Sequence, residues 1–172
     1  MGLGFGNTAS HPSSPNFTRL KKMLTYETYP TPASTQINPG DLVLLNTATL
    51  AIMSAATWDT NIGTTQADVA PVFMGIALDQ KLVGDPTTRE IAVAIEGIAE
   101  FPCTALGAAH HVGEYVAADA DGVHNLYDQI VALTATLANA IGKLEREAAS
   151  GATFLQFYFA STLIFGKVQA AV

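Results

Sequence analysis

The chain repeats a pattern. Pro39-Gly40-Asp41-Leu42-Val43 returns as Val112-Gly113-Glu114-Tyr115-Val116. Phe73-Met74-Gly75-Ile76-Ala77-Leu78 returns as Ala140-Ile141-Gly142-Lys143-Leu144-Glu145. A β-rich run comes after each, Ile91 to Ala99 in the first half and Phe154 to Phe159 in the second. A repeated pattern implies a repeated supersecondary unit, so an acceptable fold must hold the same unit twice. Each Gly-acid pair reads as a tight turn that starts a strand. The glycines inside the apolar runs, Gly75 and Gly142, read as bulges or close backbone approaches. Two related β-halves around one core is the simplest arrangement.

The punctuation between the repeats agrees with it. Asn38-Pro39-Gly40-Asp41 and Val83-Gly84-Asp85-Pro86 are turn sequences, and the apolar runs between such signals are short. Ile91, Val93 and Ile95 alternate with Ala92 and Ala94, as in a half-buried strand ending near Phe101-Pro102. Runs of this length favour a sandwich or barrel over a helical bundle. One stretch fits two periods. Leu126, Ile130, Leu133, Leu137, Ile141 and Leu144 recur at helical steps, whereas Val131, Leu133, Ala135 and Leu137 alternate like a strand. Thr134, Thr136 and Gly142 disfavour helix, so strands are expected over 129–137 and about 140–147.

Residues 1–36 differ from the rest of the chain. Pro12, Pro15, Pro30 and Pro32 forbid a continuous helix, yet Phe5, Phe17, Leu20, Met23, Leu24, Tyr26 and Tyr29 are too apolar for a solvated linker. Arg19, Lys21 and Lys22 form a small basic cluster in the same stretch. The expectation is an extended N-terminal arm over 1–36, with a short helical turn near 17–24, ordered by lying on something else. Residues 37–172 form the β-domain. The fold class is therefore all-β, a compact sandwich or barrel of two related halves with an extended N-terminal arm.

Composition narrows the function. Only 13% of the 172 residues are charged, while 49% are apolar. Globular proteins usually carry roughly 25% charged residues. So apolar a chain is not disordered, and so little charge suits a surface partly covered by partners. The net charge of −7, with eight Lys and Arg in all, leaves no basic footprint for nucleic acid. No apolar stretch is long enough for a membrane helix, and MGLGFGNTAS lacks a charged leader, so a cytosol-like compartment is expected. The single cysteine, Cys103, excludes an internal disulfide and reads as a small buried hydrophobe.

Chemistry-bearing groupings are sparse. Gly2-x-Gly4-x-Gly6 has no strand before it and no helix after it, so it is not a dinucleotide fingerprint. His110-His111, Asp119, Asp121 and His124 are the most site-like cluster. Adjacent histidines on a strand point to opposite faces, however, and Asp121-Gly122 reads better as a hairpin turn. No catalytic residue, cofactor or metal site is assigned. Trp58, between Thr57 and Asp59, lies in a polar loop and suits either an interface anchor or a loop-plugging core residue.

Together, Pro39 to Val43, Val72 to Ala77, Val93 to Gly97, Gly113 to Val116 and Ile141 to Glu145 with Ala148 to Gly151 resemble a family of small capsid decoration (cement) proteins of tailed phages. The resemblance covers about residues 37–160 and leaves the arm outside it. It implies a compact β-fold bound to the outside of an icosahedral shell. The implied partners are the major capsid protein and the chain's own copies, homotrimers rather than homodimers. The implied location is the virion exterior, with the host cytoplasm during assembly, and neither nucleic acid nor membrane is a partner. Candidate capsid or subunit contacts are Phe5, Phe17, Arg19, Lys21, Lys22, Tyr26, Tyr29 and Trp58. The rival expectations are a tail or fibre module, or a small metal-binding β-barrel enzyme using His110, His111 and His124.

Overall fold

The computed structural model describes residues 19–86, 89–122 and 124–166. Among these residues nine strands form one sheet: β1 (Arg19–Pro30), β2 (Leu42–Asn46), β3 (Thr49–Ile52), β4 (Phe73–Ala77), β5 (Glu90–Pro102), β6 (Tyr115–Ala120), β7 (Leu126–Thr134), β8 (Gly142–Leu144) and β9 (Phe154–Ala160). A helix α1 (Ile62–Val69) joins β3 to β4, and a single turn α2 (Thr162–Phe165) comes after β9. All strand pairings are antiparallel, and the hydrogen-bonded order is β3-β2-β4-β5-β9-β8-β6-β7, with β1 added on β5. The sheet curls into a nearly closed barrel.

That order reads the same from either end. Strands β3, β2, β4 and β5 occupy the places of β7, β6, β8 and β9, so the two halves meet along β5 and β9. The registers match too. Leu42 and Val43 pair with Ile76 and Gly75, as Tyr115 and Val116 pair with Lys143 and Gly142. Ile76 and Ala77 pair with Ala94 and Val93, as Lys143 and Leu144 pair with Tyr158 and Phe157. These equivalences make Glu96 the counterpart of Ala160, and those two residues face each other across the β5–β9 ladder. The pairing is thus compatible with a two-fold axis through the centre of the sheet.

The turns show why the Gly-acid motif recurs. Gly40 and Gly113 have φ of 93° and 90°, a conformation that costs an L side chain about 1–2 kcal/mol. The acid after each glycine closes the turn: Asp41 Oδ2 accepts from the Asn38 N–H at 2.7 Å, and Glu114 Oε1 from the His111 N–H at 2.8 Å. The Gly40 N–H donates to the Ala77 carbonyl at 2.8 Å, and that of Gly113 to Leu144 at 2.9 Å. The likeness extends beyond the residues that reveal it in sequence, because the isolated bridges Ile37–Lys81 and His110–Ala148 hold equivalent places.

Gly75 and Gly142 are equivalent for a steric reason. A Cβ on Gly75 would lie 2.0 Å from the Ala94 carbonyl oxygen, and one on Gly142 would lie 2.5 Å from that of Tyr158. Ala94 and Tyr158 are themselves counterparts. Each half therefore packs its middle strand too close to the next for any side chain.

The barrel interior is lined by Leu42, Phe73, Ile76, Phe101, Val116, Val131, Ile141, Leu155, Phe157 and Phe159. A second buried cluster lies on the other face of the first half and contains Ile37, Val43, Leu50, Met74, Ile91, Val93 and Ile95. The alternating Ile91, Val93 and Ile95 thus face the outer cluster, while Ala94, Ala99 and Phe101 of the same strand face the interior. The 3-10 turn Met53–Ala55 after β3 closes on β7: Asp128 of β7 accepts from the Ser54 N–H at 2.6 Å and from its hydroxyl at 2.8 Å. Helix α1 and the 3-10 turn Leu137–Asn139 fill equivalent connections and touch: Gln66 donates to the Ala118 carbonyl at 2.6 Å and accepts from Asn139 at 3.2 Å.

Three expectations change. Residues 19–24 are strand rather than a helical turn, because β5 supplies main-chain partners there. The strand expected over 129–137 runs Leu126–Thr134 and gives way to a 3-10 turn, and the one expected over 140–147 shortens to Gly142–Leu144. Helix α1 lacks a clear apolar period. Its start is set by a capping box, in which Asn61 accepts from the Thr64 N–H and Thr64 accepts from the Asn61 N–H, both at 3.1 Å.

The two close-approach glycines supply a test. Gly75→Ala and Gly142→Ala should each cost at least about 3 kcal/mol in urea unfolding, since backbone must move in both cases. Gly113→Ala, whose Cβ would meet nothing within 4 Å, should cost only about 1–2 kcal/mol.

Candidate functional site

Strand β1 stands apart from the barrel. It pairs with β5 from Arg19↔Glu100 to Pro30↔Glu90, with irregularities around residues 20–22 and 23–26. Lys21 to Thr28 are nonetheless exposed on both faces of the strand, between Leu20, which packs on the interior cluster, and Tyr29, which packs on the outer one. Among them are three large apolar side chains: Met23, Leu24 and Tyr26 are 44%, 47% and 57% exposed. The root of the strand is firmly held. Thr31 is buried and donates from its N–H and hydroxyl to the Arg89 carbonyl at 3.2 and 2.9 Å. The buried Lys81 ammonium donates to the carbonyls of Ala33, Thr35 and Leu82 at 3.3, 3.1 and 3.1 Å. Three carbonyl dipoles offset the cost of burying this cation.

The sequence-derived contact candidates distribute unevenly over this region. Lys21 lies 3.4 Å from Glu100 across the β1–β5 pair, while Lys22 and Tyr26 are exposed on β1. Tyr29 packs against the outer cluster, and its hydroxyl donates to the Glu27 carboxylate. Arg19 begins β1, opposite Glu100. Trp58 lies away from β1, half-buried against the interior cluster, with its ring 5.2 Å from that of His124. Phe5 and Phe17 lie outside the described residues.

A second apolar surface forms where α1, α2 and the Leu137–Asn139 turn meet. A shallow groove of about 340 Å³ is lined by Ala67, Pro71, Leu137, Ala138 and Thr162. Leu163, Ile164 and Phe165 stand exposed beside it. None of these is among the contact candidates read from sequence, although the run Leu163-Ile164-Phe165 after a polar Ser161-Thr162 is the signal that marks them.

No protein-family model matches the chain, and none of the curated proteins matches it either.

The histidines do not converge. His110 Nδ1 is 2.8 Å from Glu114 Oε2, and His111 Nδ1 is 3.6 Å from Glu147. His124 instead meets Trp58. Glu114 is committed to its turn: the His111 N–H, then the His110 side chain, holds its carboxyl below the usual range. Among the described residues, no three of the types His, Cys, Asp and Glu are grouped to hold a metal ion. Gly122 has a φ of 74°, and Asp121 accepts from the Asn125 N–H at 3.1 Å, so the Asp121-Gly122 segment is a hairpin turn between β6 and β7. Cys103 is buried, and desolvation pushes its thiol upward, with Asp119 adding to the shift.

Two phenols carry the clearest electrostatic signature. Burial first, then Glu27, raises Tyr29 from 10.0 to about 12. Burial first, then Glu96, does the same to Tyr158, whose hydroxyl donates to Glu96 at 2.5 Å. In both cases the folded state favours the neutral phenol. The resulting stabilisation is present below pH 10 and is lost as pH rises through about 12. Titration at the tyrosinate absorption band should show a late phase that Tyr29→Phe and Tyr158→Phe each reduce.

Proposed function

We propose that the chain is a structural virion protein that binds the outer surface of an icosahedral phage capsid and stabilises it as a decoration protein. Its partners are the major capsid protein and its own copies, in trimers on the resemblance to cement proteins. The observation that carries this reading is β1, a strand anchored at its root and exposed along both faces, with Met23, Leu24 and Tyr26 turned to solvent. A large apolar surface on a folded body is characteristic of contact with another macromolecule. The motifs behind the resemblance are also the residues that build the two β-halves, namely the Gly40 and Gly113 turns and the Gly75 and Gly142 approaches. Binding after shell assembly stabilises the shell by mass action, because a cement protein favours only the assembled state.

The test is quantitative mass spectrometry of purified particles, counting this chain against the major capsid protein. A ratio near one to one, or one to a few, supports decoration. A trace ratio moves the chain to the tail or fibre, and absence from particles overturns the virion assignment. Deletion of residues 1–30, which takes away β1, should weaken binding to isolated shells while the barrel still unfolds cooperatively in urea, and unchanged binding would count against the reading.

A further inference from the structure

We infer that α2 of one copy seats Leu163, Ile164 and Phe165 on the groove between α1 and the Leu137–Asn139 turn of the next copy, closing a ring of three. The number three rests on the decoration reading, and the face rests on the structure. Turn α2 holds its apolar residues away from the barrel. Its cap, Ser161, is buried, and the Ser161 hydroxyl donates to the Phe73 carbonyl at 3.2 Å and accepts from the Ile164 N–H at 3.3 Å. The Thr162 hydroxyl donates to the Ala70 carbonyl. Two anchors thus fasten the turn, yet none of its four residues is buried. Leu163, Ile164 and Phe165 stand 38–44% exposed on a fixed backbone, so a partner that covers them orders little that was free.

The charge pattern selects the occupant. Residues 129–142 and 148–166 contain no Asp, Glu, Lys or Arg, and they supply one wall of the groove and α2 itself. No groove-lining residue is charged, and Asp68 of α1 lines a different depression, with Leu45 and Thr57. Copies of a chain with a net charge of −7 repel one another. On this face they approach without setting like charges together, whereas a charged partner finds nothing there to pair with. The groove also has room. A cavity of roughly 150 Å³ takes a benzene ring, and this groove has about 340 Å³. Protruding side chains and groove are different surfaces, so the contact is head-to-tail and either closes into a ring or runs on as a filament. A filament needs the two at opposite poles. Here Thr162 and Gly166, which flank the protruding residues, both line the groove, and this adjacency turns successive copies towards one another.

Analytical ultracentrifugation of the full chain supplies the test. The unaltered chain should sediment as a trimer. Ile164→Asp on the turn and Ala138→Asp in the groove, both exposed in the single chain, should each leave monomers, a weakening of roughly thirtyfold or more per contact. Val83→Asp, at an exposed apolar site elsewhere, should stay trimeric. A cysteine pair tests the same contact without a charge, and the buried Cys103 stays out of the reaction. Under mild oxidation, Phe165→Cys chains mixed with Ala138→Cys chains should link one to one, and the double variant should link up to trimers and no further. A monomeric unaltered chain overturns the inference, as do trimers that survive both Asp variants or cysteines that link only within one chain. Trimers that survive while shell binding is lost assign the face to the capsid protein and also overturn it. The particle count judges decoration separately: a full count with a monomeric chain removes the ring and leaves decoration standing.

Discussion

The barrel depends on the ladder between β5 and β9. It is the contact through which the halves become one sheet, and it joins residues far apart in the chain, from Glu96↔Ala160 to Pro102↔Phe154. Its register is doubly determined. A slip by one residue would turn Phe157 and Phe159 away from the interior, where their rings lie 6.4 Å apart and Phe101 lies 5.6 Å from Phe157. The same slip would destroy the correspondence that sets Glu96 opposite its counterpart. Interior packing and internal symmetry demand one answer, and agreement between levels is what makes a fold specific.

The halves have diverged where the symmetry leaves them free. Lys81 and Ala148 hold one equivalent position, and Ile37 and His110 its partner. In the first half, the lysine enters the core region and fastens the segment below β1, while the isoleucine joins the outer cluster. In the second half, alanine leaves nothing to fasten, and the histidine turns to a nearby glutamate. His110, conspicuous in sequence beside His111, is therefore placed by the same bridge that places a core isoleucine. The two halves keep one backbone and put different side-chain work on its outside.

The fold was legible because its strongest constraints are local. A positive φ next to a carboxylate that closes the turn needs Gly followed by an acid, and that pair is visible at Gly40-Asp41 and Gly113-Glu114. Gly75 and Gly142 are visible for the same reason: only one residue type fits. Strand β1 was harder, since its secondary structure comes from β5 and not from its own residues, and Pro12 and Pro15 dominate the appearance of the stretch. Helix α1 was missed because its start depends on Asn61 and Thr64 and its packing on Gln66, without a strong apolar face. The bulky alternation of β5 revealed a strand but concealed its orientation, because both faces of the first half are covered. The contact candidates read from sequence were the apolar and basic residues of the arm and Trp58; the exposed surface around α2 arises from elements brought together only by the fold.

Trp58 belongs to the connection after β3, in the first half, whereas His124 belongs to the β6–β7 turn of the second, and their rings lie 5.2 Å apart. As the sole tryptophan of the chain, Trp58 gives the molecule an optical gauge of its own seam. Indole emission will register a parting of the two halves at this corner without a label, and it will do so even where the strands of each half remain intact.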